Sequence, residues 1–227
     1  MSIGPNGAGK TTALRSVTGV VTLTSGTVEL DGERIDRLPI EKRIRKGLAL
    51  SQQLVKPLRE MSIIENVALA AGSSKTRSPL IALCNTSIEA ESHIAREMLD
   101  LVEISAHADQ RPGIQPLGIL KRLEMARALA QRPKLLLLDE PLAGLNSTEA
   151  RALASTIDKI NKNGMTIVLI EHNLGEVLRV CHRLVVLDNG RKIADGEPRA
   201  VMNDPQVRAA YLGSDVVADK EGPDASP

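Results

Sequence analysis

The 227-residue chain contains no phenylalanine, no tryptophan and a single tyrosine, Tyr211. Its core must therefore be built from aliphatic side chains, and nothing obvious in the sequence can stack on a purine ring. Cysteine is scarce too. Cys84 and Cys181 lack metal-ligand spacing and read as small buried hydrophobes in a reducing compartment. Neither sign of charge is in excess: 29 Lys and Arg against 28 Asp and Glu leave +1, with no basic footprint for nucleic acid. No apolar run approaches the length needed to span a bilayer, and the N-terminus has no signal-peptide core. These readings place the chain in the cytoplasm, with any membrane contact made through a partner. A chain of this length can bury a good core and is expected to form one domain with an inserted subdomain.

What is present begins at Gly4-Pro5-Asn6-Gly7-Ala8-Gly9-Lys10-Thr11, a complete phosphate loop of the form G-x-x-x-x-G-K-[ST]. Such a loop turns successive backbone N–H groups toward phosphate. Lys10 then reaches the β/γ oxygens and the Thr11 hydroxyl helps hold Mg²⁺. Thr12 to Val17 reads as the helix whose N-terminal dipole faces the anion, and Gly19 ends it. Further on, Leu135 to Leu138 is too short for a helix and suits a strand buried on both faces. At its tip, Asp139 can orient a Mg²⁺ water, and Glu140 on the other face can polarise an attacking water. Each half alone has a blander reading, a Gly-rich turn or a solvated acidic turn. Together they describe a site of nucleotide hydrolysis.

The rest of the chain alternates strand and helix. Thr27–Leu30 with Asp31-Gly32 reads as a strand and hairpin turn, and Leu48–Ser51 as a strand ending at Gln52-Gln53. From Met61 to Leu101 the periodicity is helical, interrupted by a polar loop at Gly72–Pro79. Asn146 and Glu149 open another helix, closed by Asn163-Gly164. Met165–Ile170 is a further buried strand, followed by Glu171-His172, and residues 183–194 form a hairpin turning at Asp188-Asn189-Gly190. The composition turns polar from Gly213, which predicts a disordered tail over 214–227. His93, His107 and His182 sit in polar surroundings and read as surface residues.

On these motifs the chain resembles the nucleotide-binding subunit of an ATP-binding-cassette (ABC) transporter, and is most similar to the importers of branched-chain and hydrophobic amino acids. The resemblance runs over nearly the whole chain. Gln53 matches the Q-loop glutamine, Ala143-Gly144-Leu145-Asn146 the D-loop, and His172 the switch histidine that contacts the γ-phosphate. Residues 56–66, Asp204-Pro205 and Ala210-Tyr211-Leu212-Gly213 resemble segments of the amino-acid importers. This implies an α/β P-loop NTPase fold, with a RecA-like core sheet, flanking helices and an antiparallel β portion. A helical subdomain at about 57–123 would be inserted within a nucleotide-binding domain of residues 1–213. It further implies MgATP held by residues 4–12 (Gly4 through Thr12), with Gln53 and Asp139 joining Thr11 on the metal, and Glu140, His172 and Gln53 acting in hydrolysis. The implied partners are a second ATPase subunit, membrane permease subunits and, indirectly, an extracytoplasmic solute-binding protein. The implied location is the inner face of the cell membrane.

Two departures stand out. The family's Leu-Ser-x-Gly-Gln signature is here Gln115-Pro116-Leu117-Gly118-Ile119, placed by the following Lys121-Arg122-Leu123-Glu124. Gly118 can still offer its N–H to a phosphate, while Pro116 removes a hydroxyl and an N–H. Either Pro116 weakens the partner's site, or it simply starts the helix at its first turn. The resemblance also implies an upstream segment with two strands, the adenine-stacking aromatic and most of the strand entering the phosphate loop, where this sequence has Met1-Ser2-Ile3. A misassigned start codon and a truncated copy are the two readings of that difference. Three rival functions stand beside the importer: a subunit that binds nucleotide without turnover, an ABC protein acting on ribosomes or DNA, and a P-loop kinase. The second normally carries tandem cassettes or a long coiled-coil insertion, and the third does not account for Glu140 and His172.

Overall fold

Leu135–Asp139 forms the strand that organises the sheet, and its side chains divide by the two-residue period of a strand. Leu136 and Leu138 enter one core with Leu123, Met125, Leu153 and Ile157, while Leu137 enters another with Leu14, Leu48 and Ile170. Both faces are covered, so an unbroken leucine run is what this position requires. Burying each such side chain contributes about 1.5–3 kcal/mol.

The structure, a computed structural model, describes residues 2–4, 7–51, 57–72 and 88–218. In chain order the strands are β1 (Ser2–Ile3), β2 (Glu29–Leu30), β3 (Glu33–Arg34), β4 (Leu48–Ser51), β5 (Leu135–Asp139), β6 (Thr166–Ile170), β7 (Leu184–Asp188) and β8 (Arg191–Gly196). The helices are α1 (Lys10–Thr18), α2 (Ile40–Arg45), α3 (Ile63–Gly72), α4 (Ile88–Leu101), α5 (Leu117–Ala130), α6 (Ser147–Lys162), α7 (Leu174–Val180), α8 (Pro198–Met202) and α9 (Pro205–Ala218). The main sheet runs β4-β5-β6-β1-β7-β8, parallel except for the final β7–β8 hairpin, and β2–β3 pair separately. Helices α3, α4, α5 and α6 bury the larger core against one face of the sheet, and α1 covers the other. A third cluster of Val177, Leu184, Val186, Val201 and Val207 lies under α7, α8 and α9, with Tyr211 packed against it.

Local signals in the sequence correspond to these boundaries. Gly19 ends α1 at φ +88°, with its N–H returning to Arg15 O at 3.0 Å. Asn146 and Glu149 form a reciprocal capping box at the start of α6. Both hairpin turns use positive φ at consecutive residues, Asp31 with Gly32 and Asn189 with Gly190, which matches the twist of the flanking strands.

One feature departs from the sequence reading. The polar composition after Gly213 predicts disorder, yet α9 continues through Ala218. Asp204 accepts the Gln206 N–H at 2.7 Å at its start, and Val207 is fully buried, so the helix is anchored well before its polar end. The remainder of that tail, 219–227, lies outside the described residues, as does most of the loop expected at Gly72–Pro79.

Strand β1 occupies the middle of the sheet with only two residues. Ser2 pairs with Ile170 on one side, and Ser2 and Ile3 pair with Val185 and Val186 on the other. Among the described residues, 166–169 of β6 therefore pair with β5 alone. A groove of about 220 Å³ lies between β6 and the segment entering β7, lined by Thr166, Ile167, Leu169, Val180 and Cys181.

Candidate functional site

The register of the sheet gathers the site. Asp139 pairs with Ile170, and Ile170 with Ser2, so three strand ends lie in one row. The residues that follow this row are Glu140, Glu171 with His172, and Ile3 with Gly4. Sequence-distant functional groups thus meet beyond the carboxyl ends of parallel strands, where open α/β sheets bind ligands.

Gly4 passes so close to β7 that a Cβ there would stand 2.0 Å from Leu187 O. Gly7 and Gly9 hold φ of +80° and +92°, conformations a side chain would oppose. Pro5 and Asn6 lie outside the described residues. Ala8 is buried and its carbonyl accepts the Gly190 N–H at 3.1 Å. Lys10, only 7 % exposed, donates from Nζ to Gly4 O at 2.6 Å, so the lysine spans its own loop. Burial lowers the Lys10 pKa, and the Glu140 and Asp139 carboxylates pull it back upward. Gly9 caps α1 without any side-chain acceptor, and the first turn, which holds Thr11 and Thr12, has no acidic residue. These features suit an anion at the helix start.

Asp139 is half-buried, and its Oδ1 has no hydrogen-bond partner among the described residues. Burial raises its pKa, with Glu140 adding to the rise, while Arg15, Lys10 and Lys121 act against it. A buried carboxylate oxygen lacking a donor fits the coordination of a cation, and the threonine hydroxyl and carboxylate of this set are the hard oxygen donors Mg²⁺ takes. Glu140 sits at φ +48°, the left-handed region, at a cost of roughly 1–3 kcal/mol for a non-glycine residue. Its N–H donates to Ile170 O at 2.9 Å, and its carbonyl accepts from Ala143 N at 3.2 Å. His172 lies two residues beyond the end of β6, with its side chain 60 % exposed.

Gln53 lies outside the described residues. Gly118 stands at the start of α5, where a Cβ would meet the Glu149 and Leu145 side chains at 3.7–3.9 Å, so within one chain it faces the turn after Glu140. Pro116 is the N-cap of α5, at φ −56° and ψ 153°, one position before the first turn that its helix-starting reading assigns to it. The two basic residues that place the signature diverge: Arg122 donates to Val102 O and Thr156 Oγ1, whereas Lys121 reaches Glu140 O. Tyr211, the sole aromatic residue, packs on the third core cluster with its hydroxyl near the Gly4 backbone. It belongs to the cluster under α9, and burial pushes its hydroxyl up to about 12, with the Gly4 backbone opposing.

Sequence reasoning missed Lys121 and Glu171 as residues of this site. Glu171 is fully buried. A carboxylate directly following the apolar run Thr166–Ile170 was the available signal for it. Lys121 gave a fainter one, a charge among Leu120, Leu123 and Ala126 on a helix.

Comparisons with known proteins identify the family. The family model described as ABC transporter matches residues 2–143, and that described as Branched-chain amino acid ATP-binding cassette transporter matches 191–217. The chain is 37% identical over 217 residues to the high-affinity branched-chain amino acid transport ATP-binding protein BraF of Pseudomonas aeruginosa, covering 93% of this chain and 85% of BraF. It is 34% identical to the lipopolysaccharide export system ATP-binding protein LptB of Haemophilus influenzae, covering 93% and 84%. Among solved structures, the ADP conformation of MJ1267, an ATP-binding cassette of an ABC transporter, aligns with a TM-score of 0.78 at 30% identity, covering 93% and 86%. The chain belongs to the ABC transporter ATP-binding family and carries the C-terminal segment of its branched-chain amino-acid branch.

Proposed function

We propose that the chain hydrolyses ATP to drive uptake of branched-chain or other hydrophobic amino acids or amides. The observation that carries the hydrolytic reading is the meeting of Lys10, Asp139 and Glu140, whose charges act on one another beyond the carboxyl ends of the parallel strands. In this reading backbone N–H groups of the loop, Pro5 excepted, and the Lys10 ammonium hold the β- and γ-phosphates. Glu140 takes a proton from water as its oxygen bonds to the γ-phosphorus and the bond to the ADP oxygen breaks. His172 donates to the γ-phosphate oxygens, where negative charge must be stabilised. Thr11, Asp139 and Gln53 would hold Mg²⁺, which supplies charge neutralisation to the phosphates when bound.

Gly118 supports a head-to-tail dimer. In this reading Gly118, in the first turn of α5, would offer its N–H to a phosphate loop brought by a second subunit. Among the described residues no helix is long and apolar enough to cross a membrane. The reading assigns the membrane path to permease subunits. BraF and the match over residues 191–217 favour amino-acid uptake, while LptB marks export as the competing direction.

Deletion of the gene in its own cells, followed by uptake of radiolabelled leucine, isoleucine and valine, tests the direction and the solute. Loss of uptake, restored by the wild-type gene and not by Lys10→Ala, is the expected result. Unchanged uptake of all three would contradict the amino-acid reading.

A further inference from the structure

Two buried charges bracket the turn that carries Glu140, and they come from different elements. From α5, Lys121 is 7 % exposed and donates Nζ to the Glu140 carbonyl at 3.3 Å. From the end of β6, the fully buried Glu171 accepts the Leu142 N–H on Oε1 at 2.7 Å and the His172 N–H on Oε2 at 3.2 Å. The turn between these two contacts contains Glu140 in the left-handed region. A strained residue persists only where its surroundings over-determine it. Burying charge is costly unless the charge is hydrogen-bonded and opposed, and here the ammonium is acted on by the Glu171, Glu140 and Asp139 carboxylates.

We propose that Lys121 and Glu171 are positioning residues for hydrolysis, bracing the Glu140 turn and tying it to the His172 backbone. The proposal rests on the reading of Glu140 as general base. Glu171 links two segments that must be placed together, the turn after Glu140 and the residue on the γ-phosphate side. Lys121 links that same turn to α5, the helix that begins with Gly118. A shift of α5 therefore moves the Glu140 backbone through one direct contact. Neither side chain need touch nucleotide, so phosphate binding by the loop is independent of the brace.

Glu171→Gln keeps shape and volume but retains only one acceptor for the two N–H groups. Lys121→Met removes the donor while keeping a flexible stem, and Lys121→Arg restores a donor. In the full-length protein we expect Glu171→Gln and Lys121→Met to lower kcat about tenfold with the KM for ATP little changed, the pattern of a group acting on the transition state alone. Lys121→Arg should recover much of the loss. A second readout does not depend on turnover: amide exchange in Glu171→Gln should accelerate at Leu142 or His172, with α6 and β5 as protected as in the wild type and ATP affinity retained. Unchanged kcat in both variants would overturn the proposal, and so would a uniform loss of protection across β5 and α6. A wild-type protein that hydrolyses no ATP would count against the hydrolytic reading instead, and amide exchange at Leu142 and His172 would still decide the brace.

Discussion

The Lys10 ammonium donates to the Gly4 carbonyl at 2.6 Å, so the first and last parts of the phosphate loop are joined by the residue proposed to meet phosphate. A cation held in this way is already placed and largely stripped of water. Lys10→Met should therefore weaken ATP binding by about 10- to 150-fold, the equivalent of 1.5–3 kcal/mol for a hydrogen bond to a charged group. Titration with a fluorescent ATP analogue measures this, and equal affinity in variant and wild type would contradict the role given to Lys10.

Pro116 caps α5 with no side-chain hydrogen bond, while the Ile119 and Leu120 N–H groups both converge on its carbonyl at 3.1 Å. A serine there can accept from the Ile119 N–H, so Pro116→Ser should stabilise the protein by about 1 kcal/mol. That change corresponds to roughly 2–4 °C in melting temperature for a chain of this size. If Pro116 also weakens the site on the partner subunit, ATPase activity of the assembled transporter should rise in the same variant. A higher melting temperature with unchanged activity would leave only the structural effect.

Elements whose signals are local were legible in the sequence. The buried strand Leu135–Asp139, the Gly19 helix end, the Asn146–Glu149 capping box and both hairpin turns each depend on residues within a few positions of one another. The phosphate loop and Asp139-Glu140 were readable for the same reason. Sheet order was not, because the neighbours of β1 are β6 and β7, far along the chain. Helix α2 went unread: Ile40–Arg45 is short and heavily charged, and it is held by Arg43, which donates to four backbone carbonyls, at Leu38, Ser16, Val17 and Asp36. Lys121 and Glu171 were missed because charge in a sequence reads as surface, and only the fold encloses it.

Cys181 gives a prediction with a clear pH sign. Burial pushes its thiol up to about 11 from an ordinary 9.0. At pH 8 the thiolate fraction is then about 10⁻³ rather than about 10⁻¹, so alkylation by iodoacetamide should run roughly 100-fold slower than at a free cysteine. Because the unfolded chain ionises first, Cys181 also makes stability fall as pH rises from about 9 toward 11. Mass spectrometry of a Cys84→Ser variant over a time course reads the rate, and reaction at the speed of free cysteine would show the thiol to be accessible.

The most direct test of the account concerns Glu140, held at the strand tip beside Asp139 and Lys10. Glu140→Gln removes the proton acceptor and keeps the side chain's size. Phosphate release from MgATP should fall by about 10²-fold or more, the usual scale for a general base, while ATP affinity stays at the wild-type value. Measured in the assembled transporter, equal turnover by Glu140→Gln and wild type would contradict the assignment of this site as a hydrolytic one with Glu140 as its base.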